Sequence, residues 1–205
     1  MASAEGPVPP PLPRGRENAN PAEISFRALV AEDFRTHDSK LFAQGFWVLF
    51  WHRFGNWRMS VRPRLLRAPL TLIYNVMFKA CELLCGCSLP YPVRVGRRVR
   101  LEHFGGMILV ARSIGSDVIL RQNTTFGVRR TDELTAKPII GDRCDIGAGA
   151  VILGHVTIGP DAMVGANAVV LQDVPPHHVA VGVPARVIPR KAPADAGRGA
   201  AEAAE

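Results

Sequence analysis

From residue 140 onward an aliphatic side chain returns at every sixth position, through Ile140, Ile146, Ile152, Ile158, Val164 and Val170. Gly or another small residue follows most of them, as in IGDRCD, IGPDAM and VGANAV. A second inward position recurs four residues later, at Cys144, Ala150, Val156, Ala162, Ala168 and Val174. Earlier, Ile114, Leu120 and Phe126 keep the same step. Six is neither a helical period nor the alternation of an ordinary strand. It is the period of one short strand plus one tight turn, three of which close a triangular coil of a parallel β-helix. The aliphatic residue fills the interior, and the small residue permits the corner. Two breaks interrupt the repeat. GVRRTDELTAKP, residues 127–138, puts Ile140 two residues out of step with Phe126, so a loop projects there. A single extra residue near positions 107–114 follows the stretch LEHFGG. Loops that project from a rigid scaffold are where binding groups collect.

Before Val95 the spacing is helical. NPAE at residues 20–23 reads as a helix start, with Asn20 as cap, Pro21 in the first turn and Glu23 reaching back, and the helix runs towards Thr36. Further helices are predicted over residues 41–59 and 64–84, the latter bent or divided at Pro69. The chain therefore divides into a disordered Pro-rich tail (1–19), an α-helical region (20–86), a β-helix (87–190) and a disordered tail (191–205) that lacks large apolar residues.

Composition changes this picture little. The 205 residues carry a net charge of +7, and 47% are hydrophobic, which suits a globular protein. The arginines cluster at residues 53–67 and 94–100, patches that could face nucleic acid, an anionic membrane or a phosphate-bearing ligand. Cys81, Cys85, Cys87 and Cys144 lack the spacing of a zinc site and read as reduced, buried thiols, so no metal is expected. The proline-interrupted start is not a signal peptide, and the apolar runs near residues 41–54 and 68–78 are too short to span a bilayer, which points to a cytoplasmic location.

Within this frame the sequence resembles the hexapeptide-repeat acyltransferases, and among them the serine acetyltransferase family. The matching stretches are QGFWVLFWHRFGNW, LEHFGG, IGAGAVILGHVTIG and VPPHHVAVGVPARVI, over roughly residues 33–190. The resemblance implies a mainly β fold, a left-handed parallel β-helix of hexapeptide repeats preceded by a short α-helical region. It implies O-acetyl transfer from acetyl-CoA to L-serine within cysteine biosynthesis, with His103 as general base, because a hydroxyl is a weak nucleophile near neutral pH and imidazole titrates there. Glu102 stands where the family has an aspartate that contacts the acceptor. Ser88 falls where the acidic partner of the base is expected, and a hydroxyl cannot stabilise imidazolium as a carboxylate does.

The resemblance further assigns Asp33 to the acceptor and leaves Arg129 or Arg130 to clamp a substrate carboxylate. Gly127, Ala148 and Ala166 line the cofactor groove, Ala148 and Ala166 being stacked one coil apart, and Arg186 meets the CoA phosphates. His37, His52 and His155 read as packing or surface residues. A homotrimer is implied, with no nucleic acid partner. Two alternatives stand beside this reading. The same machinery could acetylate a sugar hydroxyl in exopolysaccharide or envelope glycan synthesis. A noncatalytic scaffold could instead rest its arginine-rich segment and Trp47, Trp51 and Trp57 on anionic lipid, although packing of those tryptophans is the preferred explanation.

Overall fold

The structure is a computed structural model that describes residues 15–190; both predicted tails, apart from residues 15–19, lie outside the described residues. Three helices, α1 (Phe26–Thr36), α2 (Gln44–Trp57) and α3 (Arg64–Leu84), precede fifteen short strands. Those strands wind into five coils of a three-sided parallel β-helix. The first face stacks Cys87–Ser88, Met107–Leu109, Thr125–Gly127, Val151–Leu153 and Val169–Val170. Arg94–Val95, Ser113–Ile114, Ile139–Ile140 and Thr157–Ile158 make the second. The third holds Arg100–Glu102, Ile119–Arg121, Asp145–Ile146, Met163–Val164 and His178–Gly182, closed by the antiparallel strand Ala185–Pro189.

The six-residue period decides this arrangement. Ile140, Ile146 and Ile152 point inward from successive faces, and Ile158, Val164 and Val170 repeat them one coil on. The second inward series, Cys144 to Val174, is equally buried. At the corner between the second and third faces, Arg98, Asp117, Arg143 and Asp161 all adopt left-handed backbone, with φ between 52° and 59°. Such a conformation disfavours most side chains, and here stacked ion pairs compensate it: Arg98 donates to Asp117 at 2.6 and 2.7 Å, and Arg143 to Asp161 at 2.8 and 2.7 Å.

The helices cap the first coil through a buried polar hub. Arg53 on α2 is wholly buried; it donates to Asp33 Oδ2 at 2.9 Å and to the carbonyls of Val95 and Gly96 at 2.7 and 2.6 Å. Arg58 lies over the rings of Tyr74 and Tyr91. Two arginines of the supposed basic patch are thus internal, and Trp47, Trp51 and Trp57 pack among Phe26, Phe46, Phe50 and Phe54. All four cysteines are free and buried, and burial pushes the Cys81 thiol up to about 12.

Three local expectations need correction. The first helix begins at Phe26, capped by Ser25 Oγ, which accepts from Ala28 N–H at 3.3 Å. Asn20 instead donates its side-chain amide to Arg53 O at 3.0 Å, so it belongs to a strap over α2. That strap includes residues 15–19, read as tail: Gly15 O accepts from Tyr91, and Ala19 N–H donates to Asn56 Oδ1. Helix α3 runs unbroken through Pro69, which sits in its second turn.

His52 donates through Nε2 to Val93 O at 2.9 Å and is held neutral, burial and the neighbouring Arg53 charge pushing it down to about 3. An unfolded histidine titrates near 6.5, so between that value and about 3 the unfolded chain binds more protons and stability falls as pH falls. The expected loss from His52 between pH 8 and pH 5 is about 2 kcal/mol. Burial lowers His37 in the same direction. Asp33 acts oppositely, since burial raises it despite Arg53. Comparing urea midpoints of the protein and of His52→Gln across this range isolates the histidine: the variant's midpoint should be flatter with pH.

Candidate functional site

Strand Arg100–Glu102 alternates, so Leu101 points into the coil while Arg100 and Glu102 point out. The chain then turns from the third face to the first. Later coils make this turn in six residues, for example Leu120 to Phe126, whereas Leu101 to Leu109 takes eight. The next turn, Leu109 to Ile114, is one residue short of the six between Ile152 and Ile158. The single extra residue expected after LEHFGG is therefore a two-residue bulge inside LEHFGG, partly cancelled by a deletion beyond it. That bulge carries His103, at φ 55°, and Phe104, and both are exposed. The imidazole makes no hydrogen bond to any of the described residues.

A cavity of about 240 Å³ lies between this corner and the helices, lined among others by Asp38, Lys40, Gln44, Arg100, Glu102 and His103. It is polar and charged. Arg100 donates to both Asp38 oxygens, at 3.0 and 2.9 Å, to Thr36 O at 2.9 Å, and sits 3.0 Å from Glu102. Its guanidinium holds the Asp38 carboxyl below the usual carboxylate range. Arg121 braces Glu102 from the next coil at 3.5 Å and itself pairs with Asp145.

His37 forms part of the wall, but its ring is committed: Nδ1 donates to Asp33 O at 2.8 Å, and Nε2 accepts from Leu101 N–H at 3.2 Å. Gly45 makes that approach feasible, because a Cβ there would lie 2.5 Å from Leu101 O and 2.7 Å from His37 Nε2. His103 is accordingly the imidazole of this cavity with its nitrogens open to a ligand.

The other site expectations divide. Asp33 does not reach the cavity, because its carboxylate is consumed by Arg53; Asp38, in the turn after α1, lines the cavity where Asp33 was expected. Ser88 lies on the outer side of the first face, donating to Glu82 Oε1 at 2.8 Å, in a separate cavity with Gly86, Gly106 and Ile108. Ala148 and Ala166 occupy the same edge of the prism as the His103 corner. Hydrogen bonds run down it from Asn123 N–H to Gly105 O, Gly149 N–H to Gln122 O and Asn167 N–H to Ala148 O, at 2.8–2.9 Å. Arg186 pairs with Val181, which packs at Gly165, and so stands at the lower end of this edge.

Gly127, Arg129 and Arg130 lie elsewhere, at the corner between the first and second faces, where the excursion adds eight residues between Phe126 and Ile140. Arg130 is paired there with Asp132 at 3.0 and 2.9 Å. Sequence reasoning missed Asp38 and Arg100. The signal for Arg100 was present, since it shares the outward side of its strand with Glu102.

Comparisons with known proteins agree with this architecture. The family model described as "Bacterial transferase hexapeptide (six repeats)" matches residues 137–172. A serine acetyltransferase of Mycobacterium tuberculosis is 33% identical over 75% of this chain and 64% of its own. The structure of the soybean serine acetyltransferase complexed with serine is 31% identical, with a TM-score of 0.67, over 80% of this chain and 70% of that one. A serine acetyltransferase in complex with CoA is 26% identical, with a TM-score of 0.63, over 80% of this chain and 70% of its own. The chain spans less than two thirds of the length of the curated relatives it matches. With these likenesses the coil is a left-handed parallel β-helix preceded by helices.

Proposed function

Since this chain belongs to the serine acetyltransferase family, we propose that it transfers the acetyl group of acetyl-CoA directly to the hydroxyl of L-serine, giving O-acetyl-L-serine and CoA, the step that precedes sulfur incorporation in cysteine biosynthesis. The observation that carries this reading is the position of His103, on a bulged corner between a small charged cavity and an edge lined by small residues.

The imidazole accepts the hydroxyl proton as the oxygen attacks the thioester carbonyl carbon. Collapse of the tetrahedral intermediate breaks the carbon–sulfur bond, and the imidazolium returns the proton to the departing thiolate. Glu102 and Asp38 supply negative charge for the serine ammonium group, and Arg100, whose fork is held by Asp38, fixes the two acids in place. The cavity of about 240 Å³ is lined by acids and a guanidinium, charges of both signs that suit a zwitterionic amino acid better than an uncharged sugar. The alanines at positions 148 and 166 leave backbone exposed for the pantetheine arm, and Arg186 offers a cation for CoA phosphate. The assembly is a homotrimer, in which the excursion bearing Gly127, Arg129 and Arg130 meets the His103 edge of the next copy.

Release of free thiol from acetyl-CoA, measured with L-serine and with a panel of sugars, tests the assignment. L-serine should support turnover, and Asp38→Asn should raise KM for serine about tenfold, with a smaller change in kcat. Turnover with a sugar and none with serine would move the assignment to the glycan reading.

A further inference from the structure

Helix α3 is apolar on the side that faces away from the body. Tyr74 and Cys81 are buried beneath it, while Leu65, Leu72, Val76 and Leu83 are 89%, 66%, 58% and 84% exposed. Their spacing of seven, four and seven residues puts all four within about 20° of one line, which runs roughly 27 Å along the helix. A helix apolar on both sides is normally covered on both. The stripe continues past Leu84 into an apolar groove of about 530 Å³ between α2 and α3, edged by Phe42, Trp47 and Trp51. Phe42 itself is 89% exposed.

The charges at the start of this face have one sign. Arg62 and Arg64 are exposed before and at the start of the helix, and Lys79 is exposed beside the stripe. The single acid between residues 61 and 84 is Glu82, whose oxygens are taken by Lys79 at 2.5 Å and Ser88 at 2.8 Å. A second copy is a poor match for this pattern. Pairing parallel and in register sets Arg64 against Arg64, and pairing antiparallel about the helix centre offers Arg64 only Glu82, whose oxygens Lys79 and Ser88 already hold. An anionic lipid surface satisfies both features, taking the leucines and valine into the acyl boundary and the cations against headgroup phosphates.

We infer that the exposed face of α3 docks this protein onto an anionic lipid surface. This surface is separate from the His103 cavity, and its recognition does not depend on the acyl acceptor. It shares Arg62, Arg64, Trp47 and Trp51 with the arginine and tryptophan patch read from the sequence, of which Arg53 and Arg58 are internal, and its apolar part is the α3 stripe.

Flotation of the full-length protein with vesicles of phosphatidylcholine alone, and of phosphatidylcholine with about one third phosphatidylglycerol, tests the inference. The protein should float with the anionic vesicles at least tenfold more than with neutral ones, and raised salt should release it. Leu72→Asp with Val76→Asp should abolish flotation while leaving thiol release from acetyl-CoA unchanged. Arg62→Glu with Arg64→Glu should remove the preference for anionic vesicles, and these exposed positions keep the test open if the first pair fails to fold. Unaltered flotation of the arginine pair would overturn the inference. So would absence of the wild-type protein from both vesicle fractions, whether or not light scattering showed that the leucine and valine changes dissociate an oligomer. Acetyl transfer, assayed separately, stands or falls on its own.

Discussion

His103→Ala should lower kcat/KM for acetyl transfer by about 10² to 10⁴, the range expected when a general base is removed, with little change in melting temperature. The side chain is exposed and makes no hydrogen bond to the described residues, so its loss removes chemistry without removing packing. The backbone matters to the design of the test, because φ at this position is 55°. Alanine tolerates that conformation less readily than asparagine does. His103→Asn therefore separates the two effects: it should keep the corner and be as inactive as the alanine variant. Thiol release under saturating acetyl-CoA, with melting curves on the same samples, measures both. Substantial turnover by the asparagine variant would remove His103 from the base role.

The second large effect is structural and falls on a residue the sequence suggested for substrate. Asp33→Ala should destabilise the protein by about 3–5 kcal/mol, because it leaves the Arg53 guanidinium buried without its counter-charge. The carbonyls of Val95 and Gly96 satisfy part of Arg53 but do not neutralise it. Replacing both residues, as Asp33→Ala with Arg53→Met, should recover a large share of that loss, since no isolated charge then remains inside. Denaturant unfolding of the two single variants and the double variant reads the coupling. If Asp33→Ala instead unfolds at the wild-type midpoint and loses only affinity for serine, the aspartate belongs to the acceptor site after all.

The β-helix was legible along the chain because its determinant is local. A side chain repeated every six residues meets the interior of a triangular coil whatever lies far away in sequence, so Ile140 to Val170 specified the faces on which they lie. The bulge at LEHFGG was legible only as a net shift of one, since an insertion of two and a deletion of one leave the same remainder. The start of α1 was misplaced for a related reason. Asn20 and Ser25 are both good caps by residue type, and the carbonyl of Arg53, thirty-three positions away, claims the first.

By itself, then, the sequence determined the coil, the register of its regular repeats and the corner on which the histidine stands, since each follows from spacing between near neighbours. Only the tertiary structure decided which of two acids five residues apart would face the cavity. Packing of α1 on α2 brings Arg53 to Asp33 and leaves Asp38 to Arg100. It also decided that the Arg129 excursion and His103 occupy different edges of the prism, and that none of the described residues covers the outer side of α3. These outcomes depend on which surfaces meet, and a periodic pattern records only the inward or outward sense of each side chain.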